Sequence, residues 1–220
     1  MNVHSTCAAL AAVPCVRQGL GEYILARKTI SSREIAAPQR IIAAARHLFA
    51  RRGFHQTAMA DLAREADVSV GSIYRSYASK ADIILALILA DSEEMLGVLQ
   101  NDAAQVHSGA ITLEAAIERI ILRRLREKDE ALTHEILAEA LRNPAVGSAI
   151  GDFGARYRGL FRDLVHHGCP ALEGAELDGA AELLMGCLFG LGHRELARSP
   201  LDQTTTARIV ARQIMGGLRG

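Results

Sequence analysis

Tryptophan is absent from this 220-residue chain, and aromatic residues make up only 4% of it. A core must therefore come from aliphatic side chains and alanine, which a 50% hydrophobic composition supplies. No alternating β-branched run bounded by turns occurs, so nothing supports a sheet and the chain reads as all-α. No apolar stretch approaches the ~18 residues of a membrane helix, so no membrane partner is expected and the cytoplasm is the expected location. The four cysteines, Cys7, Cys15, Cys169 and Cys187, have no C-x-x-C spacing, which argues for reduced thiols over a disulfide framework. There is no P-loop, no G-x-G-x-x-G after a strand and no G-x-S-x-G. His166, His167 and Cys169 lie close together but lack a second cluster at metal-ligand spacing, so they read as a polar loop. No catalytic residue, metal site or cofactor is expected.

Charge of one sign is missing overall, since 25 basic residues balance 25 acidic ones, but the balance hides a division. Residues 38–80 hold seven Arg/Lys against three Asp/Glu, residues 81–220 hold fourteen against twenty, and residues 1–37 hold four against two. A basic small domain beside an acidic larger one fits a protein of which one part meets a polyanion.

That basic part contains the most organised stretch, Thr57 to Lys80. Its spacing predicts two short helices joined by a tight turn, with a third starting at once. Thr57 is the expected N-cap of the first, and Met59, Leu62, Ala63 and Ala66 share its inner face. The helix is expected to stop at Asp67, which tolerates a left-handed or turn conformation, with Val68 a buried turn residue. Ser69 caps the next helix, whose inner face is Ile73 and Tyr77. Val70, Gly71, Ser72, Tyr74 and Arg75 are left pointing outward. Ser79 and Asp82 have the spacing of a capping box. A short helix with a small, hydroxyl-bearing and basic outer face suits the major groove of DNA.

The same residues carry a family resemblance. Thr57, Leu62, Ala63, Ala66, Val68, Ser69, Gly71, Ile73, Tyr74, Tyr77 and Lys80 match, without a gap, the helix-turn-helix of TetR/AcrR-type transcriptional regulators. Asp67 replaces the usual turn glycine and Ser76 a frequent His or Tyr. The resemblance covers about Gln39 to Leu87, with a weaker match over Glu135 to Val146. It implies that Tyr74 and Lys80 contact phosphates, that Thr57 holds the backbone near the DNA, and that Gly71 permits close approach. Ser72 and Arg75 become candidates near base edges, and Ser69 and Val70 complete the DNA-binding set.

Around the motif, Ile41, Ile42, Ala45, Leu48 and Phe49 make a stripe on a helix opened by Pro38 and ended by Gly53. Phe54 is expected to fill the core under the motif. A fourth helix is expected from Ser79 to about Gln100, and its apolar run from Ile83 to Ala90 reads as covered on several sides. Further helices are expected at about 112–128, 129–142, 145–167, 175–194 and 201–218. The expected divisions are an N-terminal extension, 1–37, poorly ordered, whose Arg17, Arg27, Lys28 and Arg33 are candidate phosphate contacts; a helix-turn-helix domain, 38–83; and a helical ligand-binding and dimerisation domain, 84–220.

The resemblance implies a homodimeric repressor that binds double-stranded operator DNA, pairs through its last two helices and answers to a small-molecule effector. A ligand-independent dimerisation domain, or an all-α enzyme with a fortuitous motif, are the alternatives. In the penultimate helix Leu184, Leu188 and Leu191 alternate with Gly186, Cys187 and Gly190, which suits close helix approach. Polar residues on otherwise buried helices, His134, Glu135 and His193, with Tyr157, are candidates for the ligand site. Glu139 and Arg156 are similar candidates to line a cavity, but for each of His134, Glu135, Glu139, Arg156 and His193 an exposed position or an ion pair is the favoured reading.

Overall fold

A computed structural model describes residues 36–127, 130–194, 196 and 198–218. Residues 1–35, and with them the N-terminal extension and the phosphate contacts sketched for Arg17, Arg27, Lys28 and Arg33, lie outside the described residues. The described residues form nine helices and no strand. They are α1 (Ala37–Arg52), α2 (Met59–Glu65), α3 (Val70–Ser76), α4 (Lys80–His107), α5 (Leu113–Arg126), α6 (Glu130–Ala140), α7 (Pro144–Gly168), α8 (Gly174–Leu191) and α9 (Gln203–Leu218). The chain divides into two compact units, the first ending at Asp91 and the second beginning at Ser92.

In the first unit, α1 and the two short helices α2 and α3 pack on one another around Ile41, Ala45, Leu48, Phe49, Leu62 and Ile73. Phe54, in the loop after α1, is buried and meets Phe49 edge to face at 5.3 Å between ring centres. From Ile83 to Ala90 no side chain is exposed, and Ile83, Ile84 and Leu87 are fully buried. The expected end of α4 at Gln100 is corrected to His107. Ala103 and Val106 continue the stripe of Leu96 and Leu99, so burial carries the helix about two turns further. Gly109, at φ 73°, then stops it.

The second unit is an aliphatic core. Leu99, Ile117, Ile121, Leu164, Val165, Ala181, Leu184, Ala207, Ala211 and Ile214 contribute to it from α4, α5, α7, α8 and α9. α9 packs chiefly on α5, and α7 on α8 and α6. Helix starts are capped where the sequence offers a short polar side chain. Thr112 Oγ1 accepts from the Ala115 N–H at 3.1 Å, and Asn143 Oδ1 from Ala145 N–H at 3.1 Å, with Pro144 opening α7. Asp202 accepts from the Thr205 N–H at 2.9 Å, and hydrogen bonds from Thr205 hold its carboxyl below the usual carboxylate range. Burial pushes the Cys187 thiol up.

Candidate DNA-binding surface

The outward face of α3 begins with its cap. Ser69 Oγ accepts from the Ser72 N–H at 3.1 Å, so a seven-residue helix starts at a defined point. Ile73 and Tyr77 are buried beneath it, as their spacing requires. On the other side Val70 is 41% exposed and Tyr74 54%, with Gly71 and Arg75 also exposed. Ser72 is half-buried, and its carbonyl accepts from Ser76 Oγ at 3.5 Å. The Tyr74 hydroxyl and the Arg75 guanidinium make no hydrogen bond or ion pair among the described residues. Gly71 has no internal reason to be glycine, since a Cβ there would meet only Arg75 and Ser69 side-chain atoms at 3.9 Å.

The turn before α3 adopts the expected conformation. Asp67 sits at φ 52°, a left-handed position an aspartate tolerates. Arg40 of α1 ties the turn down, donating to the Asp67 carbonyl at 3.3 Å with the Asp67 carboxylate 3.7 Å away. Val68, expected to be buried, is half-buried, because the turn runs along the surface. A second tie joins α1 to α2, with His47 Nδ1 2.8 Å from Glu65 Oε1.

Two expected contact residues have internal partners. Thr57 does not cap α2, which starts one residue later on the backbone of Ala58. Its hydroxyl instead donates back to the Gly53 carbonyl at 2.9 Å, and the residue is 1% exposed. Asp61 reaches back to cap Ala58, accepting its N–H at 3.1 Å. That hydrogen bond, followed by one from Arg64, holds the Asp61 carboxyl below its ordinary value. Lys80 Nζ donates to the carbonyls of Phe54 at 2.8 Å and His55 at 3.4 Å, and lies 4.6 Å from the Phe54 ring centre. Of its three ammonium protons, one is left over. Ser79 and Asp82 form the expected reciprocal box, at 2.9 Å and 3.3 Å, directly after Tyr77. Sequence spacing could not reveal the ties made by Arg40, Thr57 and Lys80, because their acceptors are backbone carbonyls rather than recognisable side chains.

Residues 41–87 match the profile of the bacterial regulatory proteins of the tetR family. Over these residues the chain is similar to the TetR family. The HTH-type transcriptional regulator UidR of Escherichia coli K12 is 32% identical over 111 residues, 50% of this chain and 55% of the relative. The chain thus spans about half the length of the curated relatives it matches. Salmonella enterica GusR is similar in structure, with a TM-score of 0.64 and 26% identity over 81% of this chain and 94% of that one. The transcriptional regulator FadR of Bacillus subtilis, solved with stearoyl-CoA, shares the fold at a TM-score of 0.64 and 18% identity, covering 80% and 96% of the two chains. The α1–α3 unit and the start of α4 match the tetR-family profile by sequence; the helices that follow are similar to GusR in fold.

The four residues considered for a ligand site in the second unit separate. His134 and His193 come together, with ring centres 4.6 Å apart. Glu135 is half-buried on α6. Tyr157 packs at the edge of the core, its ring centre 6.3 Å from that of Phe161. Of their neighbours, Arg156 pairs with Glu93 at 2.8 Å, and Glu139 is buried and accepts from Asn143 at 3.2 Å.

Proposed function

We propose that the chain is a DNA-binding transcriptional regulator that acts as a homodimeric repressor, and is not an enzyme. The observation that carries this reading is the outward face of α3. Val70, Gly71, Tyr74 and Arg75 are exposed on a capped helix, and the Tyr74 and Arg75 polar ends have no internal partner among the described residues. Each subunit sets this helix into a major groove, so that two subunits read half-sites about 34–36 Å apart or a multiple of that spacing. Tyr74 and the remaining proton of Lys80 bind phosphates. Ser72 and Arg75 lie near base edges, and Ser69, Val70 and Gly71 bring the backbone close. Thr57 acts from behind, through its bond to Gly53, by fixing where α2 begins.

The second subunit joins through the outer sides of α8 and α9. The Leu184, Leu188 and Leu191 stripe packs on its own core, so the face left for a partner carries Leu183, 47% exposed, Phe189, 56% exposed, and the exposed Gly186 and Gly190. A small molecule bound in the second unit lowers operator affinity through its different affinities for two arrangements of the dimer. The complex of FadR with stearoyl-CoA supports an effector of this general kind, since the fold is shared.

The test is selection of bound sequences from random duplex DNA by the full chain. The expected result is a two-fold symmetric site whose half-sites stand one helical turn or a multiple apart, with affinity that falls steeply with salt. Recovery of no preferred sequence at ~150 mM salt overturns the reading.

A further inference from the structure

Two histidines distant in the chain meet in the second unit. His134 is exposed on α6, and His193 follows the end of α8, with ring centres 4.6 Å apart and ring planes at 82°. Each ring is held in the same way. His134 Nδ1 lies 2.7 Å from the Glu130 carbonyl oxygen, and His193 Nδ1 lies 2.7 Å from that of Phe189. A carbonyl oxygen only accepts, so each Nδ1 carries a proton, and in the neutral ring the lone pair is on Nε2. Neither Nε2 has a partner among the described residues. Metal-ligating histidines use this arrangement, in which a backbone carbonyl fixes tautomer and ring orientation and leaves the other nitrogen basic.

We propose that His134 and His193 form a two-imidazole site for a divalent transition ion of tetragonal preference, nickel(II) or copper(II). Their spacing suits such an ion. A metal–nitrogen bond of about 2.1 Å, plus about 1.1 Å from nitrogen to ring centre, sets each ring centre about 3.2 Å from the ion. Two such ligands at a right angle have ring centres about 4.5 Å apart, and two at the tetrahedral angle about 5.2 Å. The observed 4.6 Å matches the right angle. Phe189, its ring centre 4.9 Å from that of His193, supplies an apolar wall on one side.

Among the described residues no group of three or more His, Cys, Asp or Glu forms a ligand set. Two imidazoles leave positions open to water or to donor atoms of a small organic ligand, and the bound ion is exchangeable. His107 and His167 also stack, at 4.3 Å, but no carbonyl fixes either tautomer, so that pair is the internal control. The site is independent of the DNA-binding reading, because it is tested without DNA.

The experiment uses the untagged full chain. Long-range ¹H–¹⁵N spectra of the metal-free histidines are expected to report the Nδ1–H tautomer at His134 and His193. Calorimetric titration with nickel chloride is expected to give one site that His134→Ala and His193→Ala each weaken at least tenfold, while His107→Ala leaves it unchanged. An Nε2–H tautomer at either residue, nickel binding untouched by both variants, or binding lost on His107→Ala instead, overturns the proposal.

Discussion

The two units hold their helices in place by different means. In the first, α2 and α3 have seven residues each, too short to be stable by themselves, and side chain–backbone ties fix where they begin and end. Ser69, Asp61, Ser79 and Asp82 cap, while Arg40, Thr57 and Lys80 bond to carbonyls of turns and loops. In the second, α7 has 25 residues, and burial of leucine, isoleucine, valine and alanine carries the fold. A unit fixed by polar ties sets side-chain positions narrowly, as a surface that reads base edges requires. A unit fixed by aliphatic burial tolerates change on its outer faces.

The comparison breaks most visibly at the outer face of α8. Leu183→Arg adds a charge on the proposed subunit interface while sparing the inward Leu184, so the monomer fold is expected to persist. An unpaired charge there costs several kcal/mol of association. Light scattering is expected to report monomer, and operator affinity to collapse with α3 unchanged. A variant that stays dimeric moves the interface away from α8. Leu188 is the poorer probe, because it is half-buried against its own core and its replacement confounds folding with association.

Next in size is the apolar part of the first unit. Leu87 is fully buried, and Leu87→Ala is expected to cost about 2–5 kcal/mol, read from the denaturant midpoint at unchanged slope. A loss under ~1 kcal/mol would mean that polar ties, not burial, dominate here too.

Much of the first unit was legible in the sequence, and the reason is locality. The Ser69 cap, the Ser79–Asp82 box, the left-handed Asp67 and the inward pair Ile73 and Tyr77 all depend on neighbours within four residues. What escaped depends on distant atoms. Lys80 bonds to carbonyls of the α1–α2 loop, Thr57 turns its hydroxyl backward instead of capping, and α4 continues past Gln100 because Val106 finds a core to join. In the second unit helix order and inner stripes were readable from periodicity. The meeting of His134 with His193 was not, since nothing short of the packed helices brings them together.

Lys80 sharpens the comparison because it works on both sides of the proposed interface. Lys80→Ala removes the donor to the Phe54 and His55 carbonyls, a cost of about 1–3 kcal/mol if those acceptors stay dry. It is also expected to weaken binding to all DNA sequences alike and to lower the salt slope by about one unit. A stability loss with an unchanged salt slope would make Lys80 a tether alone.

Gly71→Ala tests the opposite case, a residue with no structural task. Its new methyl meets only side-chain atoms at 3.9 Å, so stability is expected to hold or rise by up to about 1 kcal/mol. Operator affinity is nevertheless expected to fall, because the added carbon stands where α3 approaches the groove. Unchanged affinity, measured by fluorescence anisotropy, would mean the helix does not come close at that point.

The smallest effect expected is the acid response of the cap on α2. Hydrogen bonding from the Ala58 N–H, and then from Arg64, lowers the Asp61 pKa below its ordinary 3.8. A lowered folded-state pKa means the carboxylate form is favoured by folding, so its contribution is present above the unfolded value. It is lost as pH falls through the folded value. Asp61→Asn is therefore expected to be less stable than the parent at pH 7, and the gap to close as pH drops below about 3.8. The Asp61 carboxyl carbon, followed by NMR, is expected to titrate below that point. Asp61 lies at the surface beside Arg64, half-buried and still within reach of solvent, so screening keeps the effect small. A gap that persists at low pH would mean that Asp61 caps α2 as well neutral as charged, so that this tie of the first unit does not depend on its charge.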